Sequence, residues 1–300
     1  MHYPFFSVII PTYNRKQFLK IALTSVLAQT FNDYEVIVID DGSSDGTKEM
    51  FEGRRMRNVG RGAWDPPSPR LRRTGVGRGD KIRYIYQENK GPAAARNLGI
   101  KQAKGEFICF LDTDDRFRED KLKVTYDYIK NHPQYKIFHT EEIWYRKGAL
   151  LTQRIYHKKP SGLVFENAVR MCSISISTAA IKKDVFNEVG FFDESMPACE
   201  DYDFWLRVTS KFRVFLIPYY LTIKEGGHIG QQSFKYPAMD TFRIYALKKI
   251  LESGELSGDN FKIAAGELIK KCEIFIKGAL KRGKIKEVKY HQALIRKFST

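Results

Sequence analysis

Within the first 115 residues, short apolar runs alternate with stretches of helical period, and this order limits the folds open to the chain. FFSVII (5–10), YEVIVID (34–40), KIRYIY (81–86) and EFICFL (106–111) read as strands. The second is too continuously apolar for a sheet with one wet face. Between them, 15–29 places Phe18, Leu19, Ala22, Leu23, Val26 and Leu27 at helical spacing. Residues 45–52 open a helix with Asp45 as its N-cap, and 91–104 form another. Such alternation predicts a largely parallel sheet covered by helices on both faces. In open sheets of this kind, ligands bind beyond the carboxyl ends of the strands.

Three strand ends carry unusual residues: PTYN (Pro11–Asn14), DDGSSDGT (Asp40–Thr47) and DTDD (Asp112–Asp115). Two like charges 4 Å apart repel by roughly 4 kcal/mol at an effective dielectric near 20. Asp112, Asp114 and Asp115 therefore need a partner: water around an exposed turn, Arg116 or Arg118, or a divalent cation held in an oxygen cage. Each acidic or glycine-rich turn alone is ordinary loop chemistry. Three on one rim of the sheet point to a binding site.

With 300 residues and 43% hydrophobic content, the chain fits one large domain or two closely packed halves. The formal net charge of +16 calls for an anionic partner. Cys109, Cys172, Cys199 and Cys272 are far apart and form no CxxC pair, which argues against zinc or a disulfide framework and for a reducing compartment. The first apolar run breaks at Pro11, so it reads as a strand and not as a signal peptide. No apolar run reaches 18 residues, so no membrane span is expected.

The second half is less regular. Strands are expected over 136–150, 150–157, 171–181 and 213–224, a short helix with a glycine stop within 185–195, and an acidic helix over 198–210. Lysine-faced helices follow near 237–253, 259–281 and 284–298. Three parts result: 1–115, 116–235 and a basic helical extension over 236–300. The segment 52–80 stands apart, with eight arginines, six glycines, three prolines and no lysine. It reads as an irregular insertion, or a stretch translated from an altered frame, with an RNA-binding arm as the competing reading.

The stretches SVIIPTYNRKQFLKIALTSVLAQTFNDYEVIVIDDGSSDGT, NKGPAAARNLGIKQAKGEFICFLDTDD and ACEDYDFWLRV together resemble family 2 of the inverting glycosyltransferases, which have the GT-A nucleotide-sugar fold. The likeness spans about 5–225, interrupted by 52–80. It implies an α/β fold, a mixed and mostly parallel sheet flanked by helices, with the C-terminal helices as an addition. It further implies that Pro11, Thr12, Tyr13 and Asn14 wall the nucleoside pocket, and that Asp41 meets the base or ribose with Asp40 in support. Arg96 faces the diphosphate or the aspartate cluster. Asp112 and Asp114 bind the donor, while Asp114 and Asp115 hold Mn²⁺ or Mg²⁺. Asp201 is the general base, with Glu200 and Asp203 as neighbours able to share the task. His228, in KEGGHIGQQS, and Ser233 would reach the metal or diphosphate.

The expected activity is metal-assisted transfer of a sugar from a nucleotide-diphosphate sugar to a glycan or lipid-linked hydroxyl. The expected place is the cytoplasm, with contact at an anionic membrane face. The Q-x-x-R-W motif and membrane helices of processive synthases are missing, so a single addition is expected. Two competing functions remain: a nucleic-acid-binding protein using the basic surface, and a catalytically silent glycan-binding relative. The first leaves the acidic rim unexplained and has only Trp64 among the arginines of 52–80, so no nucleic-acid partner is expected. The second is opposed by the presence of both acidic sites.

Overall fold

A computed structural model describes residues 3–52, 81–152, 158–228, 235–236 and 238–299. The expectations for 53–80, for the far end of the 150–157 strand and for Ser233 lie outside the described residues.

The first half alternates as expected: β1 (Phe6–Thr12), α1 (Lys16–Leu27), β2 (Tyr34–Asp41), α2 (Glu49–Glu52), β3 (Ile82–Gln87), α3 (Pro92–Gln102) and β4 (Phe107–Phe110). There follow β5 (Asp115–Phe117), α4 (Lys121–Asn131), β6 (Ile137–Arg146), β7 (Ala149–Leu151), α5 (Phe165–Arg170), a 3₁₀ turn at Ile176–Thr178, β8 (Ala180–Lys182), α6 (Val185–Val189), α7 (Glu200–Lys211) and β9 (Val214–Gly226). Three helices close the chain: α8 (Met239–Glu252), α9 (Gly258–Lys281) and α10 (Ile285–Phe298).

One sheet runs in the order β3-β2-β1-β4-β8-β6-β9-β5, with β7 paired to β6. The ladders β3-β2-β1-β4 and β6-β9 are parallel and hold most of the paired residues; the shorter ladders are antiparallel. The apolar strands need cover on both faces because successive side chains point to opposite sides. Ile9, Ile37, Ile39, Ile108 and Phe110 enter one core with Ala93, Ala95 and Ile100 of α3 and Phe204, Trp205 and Val208 of α7. Their neighbours Val8, Ile10, Val36, Val38, Phe107 and Cys109 enter the opposite core with Leu19, Leu23 and Val26 of α1 and Leu122 and Ile129 of α4. A third core joins α8, α9 and α10 to Phe165 and Val169 of α5 and to Tyr202 and Leu206 of α7. Gly99 permits the close seat of α3 on β1, since a Cβ there would run into Ile9 Cγ2.

Three local expectations are corrected. Residues 171–181 do not form one strand: the 3₁₀ turn interrupts them and only Ala180–Lys182 pair. Ile174, Ile176, Ser177 and Thr178 are all buried, so their alternation did not divide a wet face from a dry one. The β6–β7 hairpin turns at Lys147–Gly148 and not near 150, with positive φ at both residues, as two-residue hairpins favour. Asp45 does not cap α2. Its carboxylate accepts from Thr47 N and, at 2.8 Å, from Lys16 N, so it serves the start of α1.

Behind the sheet's centre lies a buried polar group. His139 is fully buried, with Nε2 at 2.8 Å from Pro160 O, which fixes that nitrogen as the donor of a neutral ring. Burial, helped by Lys159, pushes its pKa from 6.5 down to about 3. An unfolded histidine takes up a proton below about 6.5, whereas the folded one resists until about 3. Stability is therefore full above that upper value and is lost as pH falls through the window, by up to about 1.4 kcal/mol per pH unit. Thermal melts of a His139→Gln variant, which keeps a donor for Pro160, should show a shallower acid limb between pH 6 and 4 than the parent; equal slopes would refute the assignment.

Candidate active site

The parallel register brings the three informative strand ends to one edge: Thr12 pairs with Asp40, and Ile9 with Phe110 two residues before Asp112. They border an open cleft of ≈ 1280 Å³. Pro11, Thr12, Tyr13, Asn14, Asp41, Arg96, Asp112, Asp114 and Asp115 line it, with Arg15 and Lys224.

The first two loops are laced together. Asn14 takes a positive φ of 50°, and its N–H donates to Ser43 Oγ at 2.8 Å. Ser44 N returns a bond to Asn14 Oδ1 at 2.7 Å. Gly42, at φ 85°, makes the turn. Asp40 is fully buried behind the lining, where it accepts from Ser43 N and Tyr84 Oη. Asp41 reaches the cleft, but its carboxylate accepts from Gln87 Nε2, Lys90 N and Gly91 N. It thereby ties the loop before α3 to the end of β2.

Arg96 joins the two acidic regions. Its Nη2 donates to Asp112 Oδ1 at 2.8 Å and its Nη1 to Glu200 Oε1 at 2.6 Å, across 104 positions of sequence. Its side chain is only 6% exposed. Burial would lower its pKa, but Asp112 and Glu200 outweigh that and keep it charged. Burial likewise pushes the Asp112 carboxyl up, yet Arg96, Lys224 and Arg15 together hold it below the usual carboxylate value.

Asp114 Oδ2 accepts from both Arg15 Nη1 at 3.0 Å and His228 Nε2 at 2.8 Å. The β5–β9 register sets Asp115 opposite Lys224, with Nζ 3.8 Å from Asp115 Oδ2. Burial raises the Asp115 carboxyl to about 8; Lys224 opposes this, while Asp114 and Asp112 add to it. Oδ2 of Asp115 receives no hydrogen bond from the described residues.

The fit to a divalent cation rests on these atoms. Oxygens of Asp112, Asp114 and Asp115 lie within 4.8 Å of one another. Ligand distances of roughly 2.0–2.6 Å put oxygens on one ion up to about 5 Å apart. An undonated buried carboxylate oxygen beside two further carboxylates suits Mn²⁺ or Mg²⁺; His228 Nε2 is bonded to Asp114 and would have to release that bond to act as a ligand.

At the start of α7, Cys199 adopts a left-handed φ of 60°, a strained state for a residue with a Cβ, and presents Glu200 and Asp201 in the first turn. The two differ. Glu200 is buried against Arg96. Asp201 is half-buried, with Oδ2 3.4 Å from the Cys172 thiol. Burial and the nearby Asp201 charge push that thiol well up, so it remains a donor. Asp203 is buried and paired with Arg207 at 2.8 Å and Lys249 at 3.0 Å.

Sequence reasoning missed Arg15, Lys224 and Cys172. Arg15 directly follows the PTYN motif, which was the one available signal. Lys224 and Cys172 belong to long-range pairings without a local mark. Lys224 also donates to Ser175 Oγ at 3.2 Å, Ser175 donates to Glu142 at 3.1 Å, and buried Lys159 lies 3.3 Å from Glu142.

A family model described as glycosyl transferase family 2 matches residues 7–190. An uncharacterized glycosyltransferase of Rickettsia felis is 34% identical over 206 residues, which are 68% of this chain and 30% of that protein. The chain thus spans under a third of that relative's length. Glycosyltransferase GlyG of Streptococcus pneumoniae is 28% identical over 201 residues, 62% of this chain and 59% of its own. Among solved structures, S. aureus TarS 1-349 in complex with UDP-GlcNAc superposes with a TM-score of 0.68 at 19% identity, covering 98% of this chain and 91% of that one. Mannosyltransferase PcManGT from Pyrobaculum calidifontis, in complex with GDP-Man and Mn²⁺, gives 0.59 at 16% identity, with 100% and 85% covered. The chain belongs to glycosyl transferase family 2 and has the GT-A fold.

Proposed function

We propose that this glycosyltransferase moves a sugar from a nucleotide-diphosphate donor to a hydroxyl of a glycan or lipid-linked acceptor, once per encounter and with inversion. The observation that carries the reading is the Arg96 bridge, which ties the three-carboxylate rim of the cleft to Glu200 in the first turn of α7, beside Asp201. TarS with UDP-GlcNAc and PcManGT with GDP-Man and Mn²⁺ support a nucleotide-sugar donor and a divalent cation.

Pro11, Thr12, Tyr13 and Asn14 wall the nucleoside, and Asp41 and Asp112 offer oxygens to its base and ribose. Asp40 holds that loop from behind. Asp114 and Asp115 would hold Mn²⁺ or Mg²⁺, with His228 joining them once its ring releases Asp114. When bound, the ion neutralises charge that develops on the departing diphosphate. Arg15 and Lys224 bring fixed positive charge to the same edge. Asp201 takes the proton of the acceptor hydroxyl, a poor nucleophile near neutral pH. Glu200 and Asp203 are less suited, since each is buried with its carboxylate held by a cation, Arg96 for the first and Arg207 and Lys249 for the second. Attack from the α7 side, opposite the leaving group, inverts the anomeric centre.

Asp201→Asn should lower kcat by on the order of 10²–10⁴ while donor affinity stays within a few-fold. Full turnover would reject Asp201 as the base. Glu200→Gln should act on stability instead, costing about 3–5 kcal/mol in urea unfolding because Arg96 loses a buried partner.

Calorimetric titration with UDP, GDP and dTDP, each with and without Mn²⁺, tests the donor site. Binding of at least one nucleotide should tighten with metal. Asp114→Asn and Asp115→Asn should remove that gain, on the order of ten-fold or more. Absence of binding by all three under every condition would overturn the proposed donor class.

A further inference from the structure

The turn between α9 and α10 carries features that sugar transfer does not use. α9 buries Ala264, Leu268, Cys272 and Ala279 against the third core. Away from that buried stripe Ile274 and Leu280 are 55% and 53% exposed, and Ile285 at the head of α10 is 54% exposed. From Lys277 to Lys289 the chain has six basic side chains and one acidic one, Glu287. Lys284 takes Glu287 at 2.9 Å. Among the described residues, no carboxylate lies within ion-pair distance of Lys277, Lys281, Lys286 or Lys289.

Lysines alone fit a solvated face. Leu280 and Ile285, each more than half exposed within this lysine-rich turn, do not, because apolar exposure in water is unfavourable. Basic residues surrounding aliphatic ones match the headgroup zone of a bilayer, where phosphates meet the charges and the side chains enter the acyl boundary. Nucleic acid answers to the lysines but gains little from Leu280 and Ile285, which cannot stack on bases as aromatic rings do. An acidic protein would leave the aliphatic tip without a role unless it brought its own groove.

We propose that the α9–α10 turn docks on an anionic lipid bilayer, with Leu280 and Ile285 entering the interface and Lys277, Lys281, Lys286 and Lys289 meeting lipid phosphates. This stands apart from the donor reading and does not depend on it.

The test is co-sedimentation of the full chain with phosphatidylcholine vesicles, with and without phosphatidylglycerol. Binding should require phosphatidylglycerol and weaken with salt. Lys277→Glu/Lys281→Glu should weaken it more than ten-fold. Leu280→Ser/Ile285→Ser, which leaves charge unchanged, should weaken it on the order of ten-fold. Nucleotide affinity and melting temperature should be unchanged in both variants. Equal binding to neutral vesicles, no binding to either kind, or lysine dependence without dependence on Leu280 and Ile285 would each overturn the proposal. The last result would mark a general polyanion surface, which RNA competition would then reveal.

Discussion

Arg96 sits almost wholly out of water between Asp112 and Glu200, and the organisation of the cleft depends on that ion triad. A buried guanidinium is tolerated only when its charge is met, and here both Nη atoms donate to carboxylates. The sequence supplies one carboxylate from the end of β4 and one from the first turn of α7. Meeting both forces α7 to begin at the same edge of the sheet on which β1, β2 and β4 end. The strained Cys199 immediately before Glu200 is consistent with that demand, since a residue with a Cβ holds a left-handed φ only where its surroundings require it.

Around the triad the charges alternate in sign. Arg15 and His228 face Asp114, Lys224 lies between Asp115 and the Ser175–Glu142 pair, and Lys159 closes the row behind Glu142. Each carboxylate that would repel its neighbour thus has a cation near it. Asp115 is the least satisfied, with burial raising its carboxyl toward neutrality. The acidic rim is therefore preformed by the protein's own cations, and an incoming ion or diphosphate enters an ordered set of charges. Preorganisation of this kind lowers what must be reorganised when charge moves.

Much of the parallel half was legible because its signals are local. FFSVII, YEVIVID and EFICFL are apolar on both faces, and the helices between them have clear periods, so β1, β2, β4, α1 and α3 lie where expected. The three C-terminal helices were legible for the same reason. The serine-rich 171–181 stretch was not. Ser175 bonds Glu142 and Ser177 accepts from Asp112 N, so these side chains serve distant partners in place of a regular ladder. Asp45 misled similarly: α2 begins only at Glu49, and the Asp45 carboxylate bonds Lys16 N, 29 residues away. Of the candidate site, every lining residue foreseen at the three strand ends does border the cleft, while Asp40 supports from behind.

The sequence alone determined the alternating strand and helix order, the acidic and glycine-rich strand ends, and the family, because apolar period and turn chemistry are properties of neighbouring residues. Only the tertiary structure decided that Glu200 is bound to Arg96 while Asp201 is not, that Lys224 faces Asp115, and that Arg15 and His228 share Asp114. Those assignments arise from burial and long-range contact. The energy of a charge in a protein is set by what surrounds it in space, and neighbours in the chain do not report that.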